Sequence, residues 1–164
     1  MNLDSSVEKA PGRWEPLAPE NGLKDWEDIV RFRTENNSPP MLLSPEQLRT
    51  TYSKGPGAGG LVFRLGDRVA GYLLFKIERR DNTELYIQIL EVGKSSRSPG
   101  MASKLIQVLR RTAEEYGATH VSWGPPSRDM TKISERIADE KNTAIGYYRI
   151  PVEQLDISNL AGRI

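Results

Sequence analysis

The residues best suited to chemistry lie in one run, Val92-Gly93-Lys94-Ser95-Ser96-Arg97-Ser98-Pro99-Gly100-Met101-Ala102. An apolar stretch ends at Val92, a polar turn follows, and a helical pattern begins. A turn that feeds a helix start gathers free backbone amides at one point, and the helix dipole adds positive potential there. Phosphate binds well in such a place. Small residues at Gly100 and Ala102 let phosphate approach the backbone, and Lys94 and Arg97 add charge. The expected backbone donors are Arg97, Ser98, Gly100, Met101 and Ala102, with Ser103 beside them in the first helical turn. Pro99 carries no amide hydrogen and gives no donor, although its fixed φ suits the position before a helix. The plainer alternative is a capped helix start with Gly100 in a turn. A second glycine-rich run, residues 54–60, lacks the Gly-Lys-Ser/Thr ending of a nucleotide loop and reads as a connector.

The elements around this run are legible from periodicity. Arg13 to Leu17 is expected as a short strand, and Lys24 to Thr34 as a helix. Ser44-Pro45-Glu46-Gln47 opens a second helix with a capping box. Three strands follow: Leu61 to Leu65, Val69 to Glu78 and Glu84 to Val92. The turns between them, at Gly66-Asp67 and Arg80-Asp81-Asn82, imply an antiparallel meander. Ile87, Ile89, Leu90 and Val92 suit a central strand covered on both faces. Strict alternation puts Glu84 and Glu91 on opposite faces of it. Gly100 to Tyr116 is an amphipathic helix closed by Gly117. Thr119 to Trp123 is a strand, residues 128–141 a further helix and residues 144–152 a last strand. The order implies an α/β fold of the α+β kind, a mixed and mostly antiparallel sheet flanked by helices.

Bulk properties narrow the class. A chain of 164 residues suits one domain, here residues 13–164 behind a loose tail at 1–12. The formal net charge is +1, so nothing favours non-specific nucleic-acid or membrane binding. There is no cysteine, which removes disulfides, thiolate metal sites and a cysteine nucleophile. No apolar run reaches membrane-helix length, and the first residues lack a signal-peptide core. A cytoplasmic protein is expected. No cluster has metal-ligand spacing, so no metal is expected.

With these residues in place, the chain resembles the GNAT superfamily of N-acetyltransferases. The family's acetyl-CoA motif, Arg/Gln-x-x-Gly-x-Gly/Ala, is matched by Arg97-Ser98-Pro99-Gly100-Met101-Ala102, five positions after Val92. Leu105 and Ile106 fall at the family's apolar pair. Gly66-Asp67-Arg68-Val69-Ala70-Gly71-Tyr72 looks like the family's hairpin into its third strand. The resemblance covers Trp14 to Trp123. It implies acetyl-CoA as cosubstrate and direct transfer of the acetyl group to a primary amine. It also implies that backbone at Leu90, Glu91 and Val92 holds the thioester carbonyl, and that the strand Thr119 to Trp123 splays away to make a slot for the pantetheine arm.

Such a transfer needs a base, a site for the developing oxyanion and an acid for the leaving thiolate. The family's acid is a tyrosine in Asn-x-x-Ala-x-x-x-Tyr, and Asn142-Thr143-Ala144-Ile145-Gly146-Tyr147-Tyr148 points to Tyr148. Asn142 sits one residue closer to the alanine than the pattern asks, and the interval from Trp123 is longer than usual. Glu84, Tyr86 and Glu91 are candidate bases through a water. His120, the single histidine, reads as structural, and Lys104, Arg110 and Arg111 as a solvated helix face. In the family the acceptor is selected by the connection at residues 36–43 and by late loops. That connection is neither acidic nor basic and leaves the acceptor open, while the missing overall basicity leans towards a small-molecule or peptide amine and away from nucleic acid. Two other readings compete: a catalytically silent acyl-CoA-binding sensor or partner module, and an acetyltransferase toxin acting on aminoacyl-tRNA. Residues 156–164 are a candidate exchange arm for a homodimer.

Overall fold

A computed structural model describes residues 12–17, 22–39, 42–53, 57–79, 81–93, 101–124 and 148–155. The elements in chain order are β1 (Arg13–Pro16), α1 (Lys24–Glu35), α2 (Pro45–Ser53), β2 (Ala58–Leu65), β3 (Arg68–Arg79), β4 (Thr83–Val92), α3 (Met101–Glu115), β5 (His120–Trp123) and β6 (Tyr148–Pro151). A 3-10 turn, Val152–Gln154, follows β6. The six strands form one mixed sheet in the order β1-β2-β3-β4-β5-β6. Every neighbouring pair is antiparallel except β4 with β5. Parallel neighbours need a crossover, and α3 supplies it.

Local chemistry explains the boundaries. Gly66 turns β2 into β3 with φ of 63°, and Gly117 ends α3 with φ of 73°. The capping box at α2 forms as expected. The Gln47 amide donates to Ser44 Oγ at 3.1 Å, and the Ser44 amide donates to Gln47 Oε1 at 2.9 Å.

Each face of the sheet carries its own core. Leu73, Phe75, Leu85, Ile87, Leu90 and Val92 pack with Leu105, Ile106, Leu109 and Ala113 of α3. On the opposite face Val62, Tyr72 and Leu74 pack with Trp26, Ile29 and Phe32 of α1 and Leu48 of α2. Among the described residues no helix is long and apolar enough to cross a membrane.

Two expectations change. β2 begins at Ala58, so the last glycines of the supposed connector are strand. Gly59 and Gly60 pair with Phe75 and Leu74. A Cβ on Gly59 would lie 2.6 Å from the Phe75 ring, and one on Gly60 2.5 Å from Leu17. The glycines are there because neighbouring side chains fill the space. The second change is a bulge in β4. Leu74 pairs with Ile89 and Phe75 with Ile87, so Gln88 is skipped. The supposed helix at 128–141, the start of the last strand at 144–147, residues 1–11 of the tail expected at 1–12 and the arm at 156–164 lie outside the described residues.

Candidate active site

The ladder between β4 and β5 runs from Glu84–His120 to Ile87–Trp123 and stops. β4 continues to Val92, held on its other side by β3. From Gln88 to Glu91 it has no rung to β5 among the described residues. A strand edge of this kind accepts an extended, amide-bearing molecule as though it were another strand. Leu90 and Val92 are buried in the core beneath α3, so their backbone and not their side chains faces this gap.

Only the two ends of the expected phosphate turn lie among the described residues. Val92 closes β4, and the Gly93 amide donates to the Ala70 carbonyl at 2.9 Å. α3 starts at Met101, with Ser103 half-buried in its first turn. Lys94, Arg97, Ser98, Pro99 and Gly100 lie outside the described residues, and Met101 and Ala102 are placed by their backbone alone.

The bulge re-aims the strand beside the gap. Leu85 and Ile87 face the α3 core before it, and Leu90 and Val92 do so after it. Ile89 therefore packs with the α1 and α2 core, and Glu91 reaches Tyr72 in that same core. Glu84 alternates with Leu85 and so shares this face. Glu84 and Glu91 are on one face, not opposite faces, because one extra residue shifts the alternation. Gln88 is exposed, and its Oε1 accepts from the Tyr52 hydroxyl of α2.

Glu91 is the carboxylate at the gap, and its oxygens are occupied. Oε1 accepts from Arg33 Nη1 at 3.1 Å and from the Tyr72 hydroxyl at 2.9 Å. Oε2 accepts from Asn36 Nδ2 at 2.9 Å and from the Ser38 hydroxyl. The Arg33 and Glu91 side chains are only 11% and 13% exposed. Arg33 also donates to the Tyr72 oxygen at 2.6 Å and to the Pro39 carbonyl at 3.0 Å. Burial pushes the Tyr72 phenol far above its ordinary range, with Arg33 pulling the other way and Glu91 adding to the rise. Tyr72 is thus a neutral donor throughout the physiological range.

Glu84 lies at the other end of β4, where β5 is still paired. Its Oε2 forms an ion pair with Arg149 Nε of β6 at 2.9 Å. His120 stands beside it in the ladder. Burial lowers the His120 pKa, Arg149 lowers it further, and Glu84 and Glu153 oppose this. Tyr86 pairs with Ser122 and rests against Gly124, where a Cβ would meet its hydroxyl at 2.8 Å. Tyr148 opens β6 opposite Trp123, which is itself opposite Ile87. Its backbone therefore stands in the row where the gap begins. Among the described residues no group of three or more His, Asp or Glu could hold a metal.

Arg33, Tyr72, Asn36 and Ser38 were not legible as partners of Glu91. They stand 58, 19, 55 and 53 residues away from it. Arg33 has the sequence signature of an ordinary basic residue in the last turn of a helix.

Comparison with known proteins adds to this geometry. The model of the acetyltransferase (GNAT) family matches residues 23–133. The chain is similar in fold to a ribosomal-protein-alanine N-acetyltransferase from Brucella melitensis biovar Abortus 2308, at 18% identity over 81% of this chain and 95% of that one, with a TM-score of 0.63. It is similar to an aminoglycoside acetyltransferase from an uncultured soil metagenomic sample, solved with sisomicin, at 19% identity, 82% and 93% coverage and a TM-score of 0.63. A GNAT-family acetyltransferase from Streptococcus pneumoniae aligns at 12% identity, 85% and 98% coverage and a TM-score of 0.62. No curated protein matches.

Proposed function

The chain belongs to the GNAT acetyltransferase family, and on that premise we propose that it transfers an acetyl group directly from acetyl-CoA to a primary amine of a small molecule, peptide or protein. The observation that carries this reading is β4 running on to Val92 past its last described rung with β5, with α3 the next described element of the chain. Acetyl-CoA, when bound, supplies an acyl group activated as a thioester.

The chain's own residues divide the remaining work. Backbone amides of Arg97, Ser98, Gly100, Met101, Ala102 and Ser103 are assigned to the phosphates. Backbone at Leu90, Glu91 and Val92 is assigned to the acyl end and to the oxygen that gains charge. Tyr148 is assigned as the acid, giving up its Oη proton to the leaving thiolate. Glu91, with both oxygens engaged, is poorly placed to abstract a proton itself. Glu84 is assigned to joining β4 to β6 through Arg149.

The neighbours act on amines of two kinds by name, a ribosomal-protein alanine and an aminoglycoside. The near-neutral charge of this chain favours a small-molecule or peptide acceptor over a polyanion. The test is thiol release from acetyl-CoA across a panel of small-molecule amines, peptide N-termini and lysine peptides, with products read by mass spectrometry. Acetylated amine with matching thiol release is expected. Binding of acetyl-CoA without release on any amine favours the silent sensor module. Release that needs an aminoacyl-tRNA favours the toxin.

A further inference from the structure

We infer that Glu91 is a positioning residue: with Arg33 and Tyr72 it fastens the segment after α1, residues 36–39, beside the open length of β4 and so sets the wall against which the acceptor amine lies. The role as acceptor wall rests on the acetyltransferase reading. The fastening itself does not.

The two faces of the sheet differ beside the gap. Beneath the gap, Leu90 and Val92 are sealed by Leu105 and Ile106 of α3. An amine cannot cross that apolar layer without losing its water. On the opposite face, beyond Ile89, the groups beside the gap are polar: Glu91, Ser38 and Asn36. The amine therefore approaches over the segment that Glu91 holds.

Among the described residues, two kinds of tie hold that segment. Asn36, Asn37 and Ser38 close α1 through backbone bonds to Phe32, Thr34 and Arg33, and Asn37 takes a left-handed φ of 58°. Past this turn the ties are side-chain ties. Ser38 and Asn36 reach Glu91, and Arg33 reaches back to the Pro39 carbonyl. Arg33 thus joins helix, segment, β3 and β4 in one cluster. Charge-assisted hydrogen bonds in a sheltered site hold geometry well, and half-satisfied ones do not.

The test is Glu91→Gln, which keeps shape but removes the charge and replaces one acceptor with a donor facing Arg33 or Ser38. Two readouts are taken. The first is hydrogen exchange at the amides of Asn36, Asn37 and Ser38, expected to quicken roughly tenfold or more, since loss of a charge-assisted bond is worth at least that factor. The second is steady-state kinetics. The KM for the amine is expected to rise roughly tenfold, while the KM for acetyl-CoA and the pH profile of kcat stay where they were. Ser38→Ala removes one neutral donor and leaves the ion pair intact, so it folds if Glu91→Gln does not, and shifts both readouts the same way by less. Unchanged exchange in both variants overturns the fastening. A fall in kcat with loss of a pH limb, at constant amine KM, overturns positioning and makes Glu91 a base. If the wild-type chain acetylates nothing, exchange alone decides the fastening, and the acceptor wall falls with the acetyltransferase reading.

Discussion

Glu84→Gln separates a structural carboxylate from a catalytic one. The carboxylate side chain is 7% exposed, and its guanidinium partner Arg149 is 31% exposed at 2.9 Å. The Arg149 Nε–H forms no directed hydrogen bond, so the pair acts mainly through charge. Breaking a fully buried pair costs about 3–5 kcal/mol, and an exposed pair about 0–1 kcal/mol. Water reaches part of the Arg149 side chain though not its buried Nε, and glutamine keeps the packing of the glutamate. The loss then falls at roughly 1–2 kcal/mol. For a domain of this size each kcal/mol moves Tm by about 2–4 °C, so a drop of roughly 2–8 °C is expected. Scanning calorimetry reads it, and thiol release on the same preparation reads turnover. Because Glu84 sits where β5 still pairs with β4, kcat should stay within roughly threefold of wild type. An unchanged Tm with kcat down a hundredfold or so would refute this reasoning and return Glu84 to the role of base.

Gly59→Ala places a methyl 2.6 Å from the Phe75 ring and 3.0 Å from the Tyr116 hydroxyl, and should destabilise the fold by roughly 1–3 kcal/mol in urea titration. Adding Phe75→Leu to the same chain should recover part of that loss, and strict additivity would argue against the contact. His120 is held neutral by burial and by Arg149, so its folded pKa lies below 6.5. The stability this contributes is complete above pH 6.5 and is lost as pH falls through the folded value. His120→Gln should therefore flatten the fall in Tm between about pH 7 and 5, and an unchanged slope would place that titration elsewhere.

Much of the frame was legible because local rules agree with the fold. Turn glycines, a capping box and a strong helical period fix the meander and α3 without help from distant residues. The bulge left a trace that was open to two readings. Leu85 and Ile87, then Leu90 and Val92, is an alternation that slips by one, and it looks the same as a strand apolar on both faces. That slip misplaced Glu91 relative to Glu84. The start of β2 was hidden because Ala58-Gly59-Gly60 carries turn chemistry, while the reason for the glycines is a ring on another strand. The Glu91 cluster had no local signal at all. Its members come from α1, the segment after it, β3 and β4, and only the tertiary fold brings them together.

Calorimetric titration of the wild-type chain with acetyl-CoA tests most directly whether β4 beyond its last described rung with β5, together with the start of α3, receives acetyl-CoA. One site per chain is expected. At a ligand concentration about a hundred times Kd, binding stabilises the fold by about 2.7 kcal/mol, which raises Tm by roughly 5–11 °C. Absence of both binding heat and thermal stabilisation with acetyl-CoA would contradict the account.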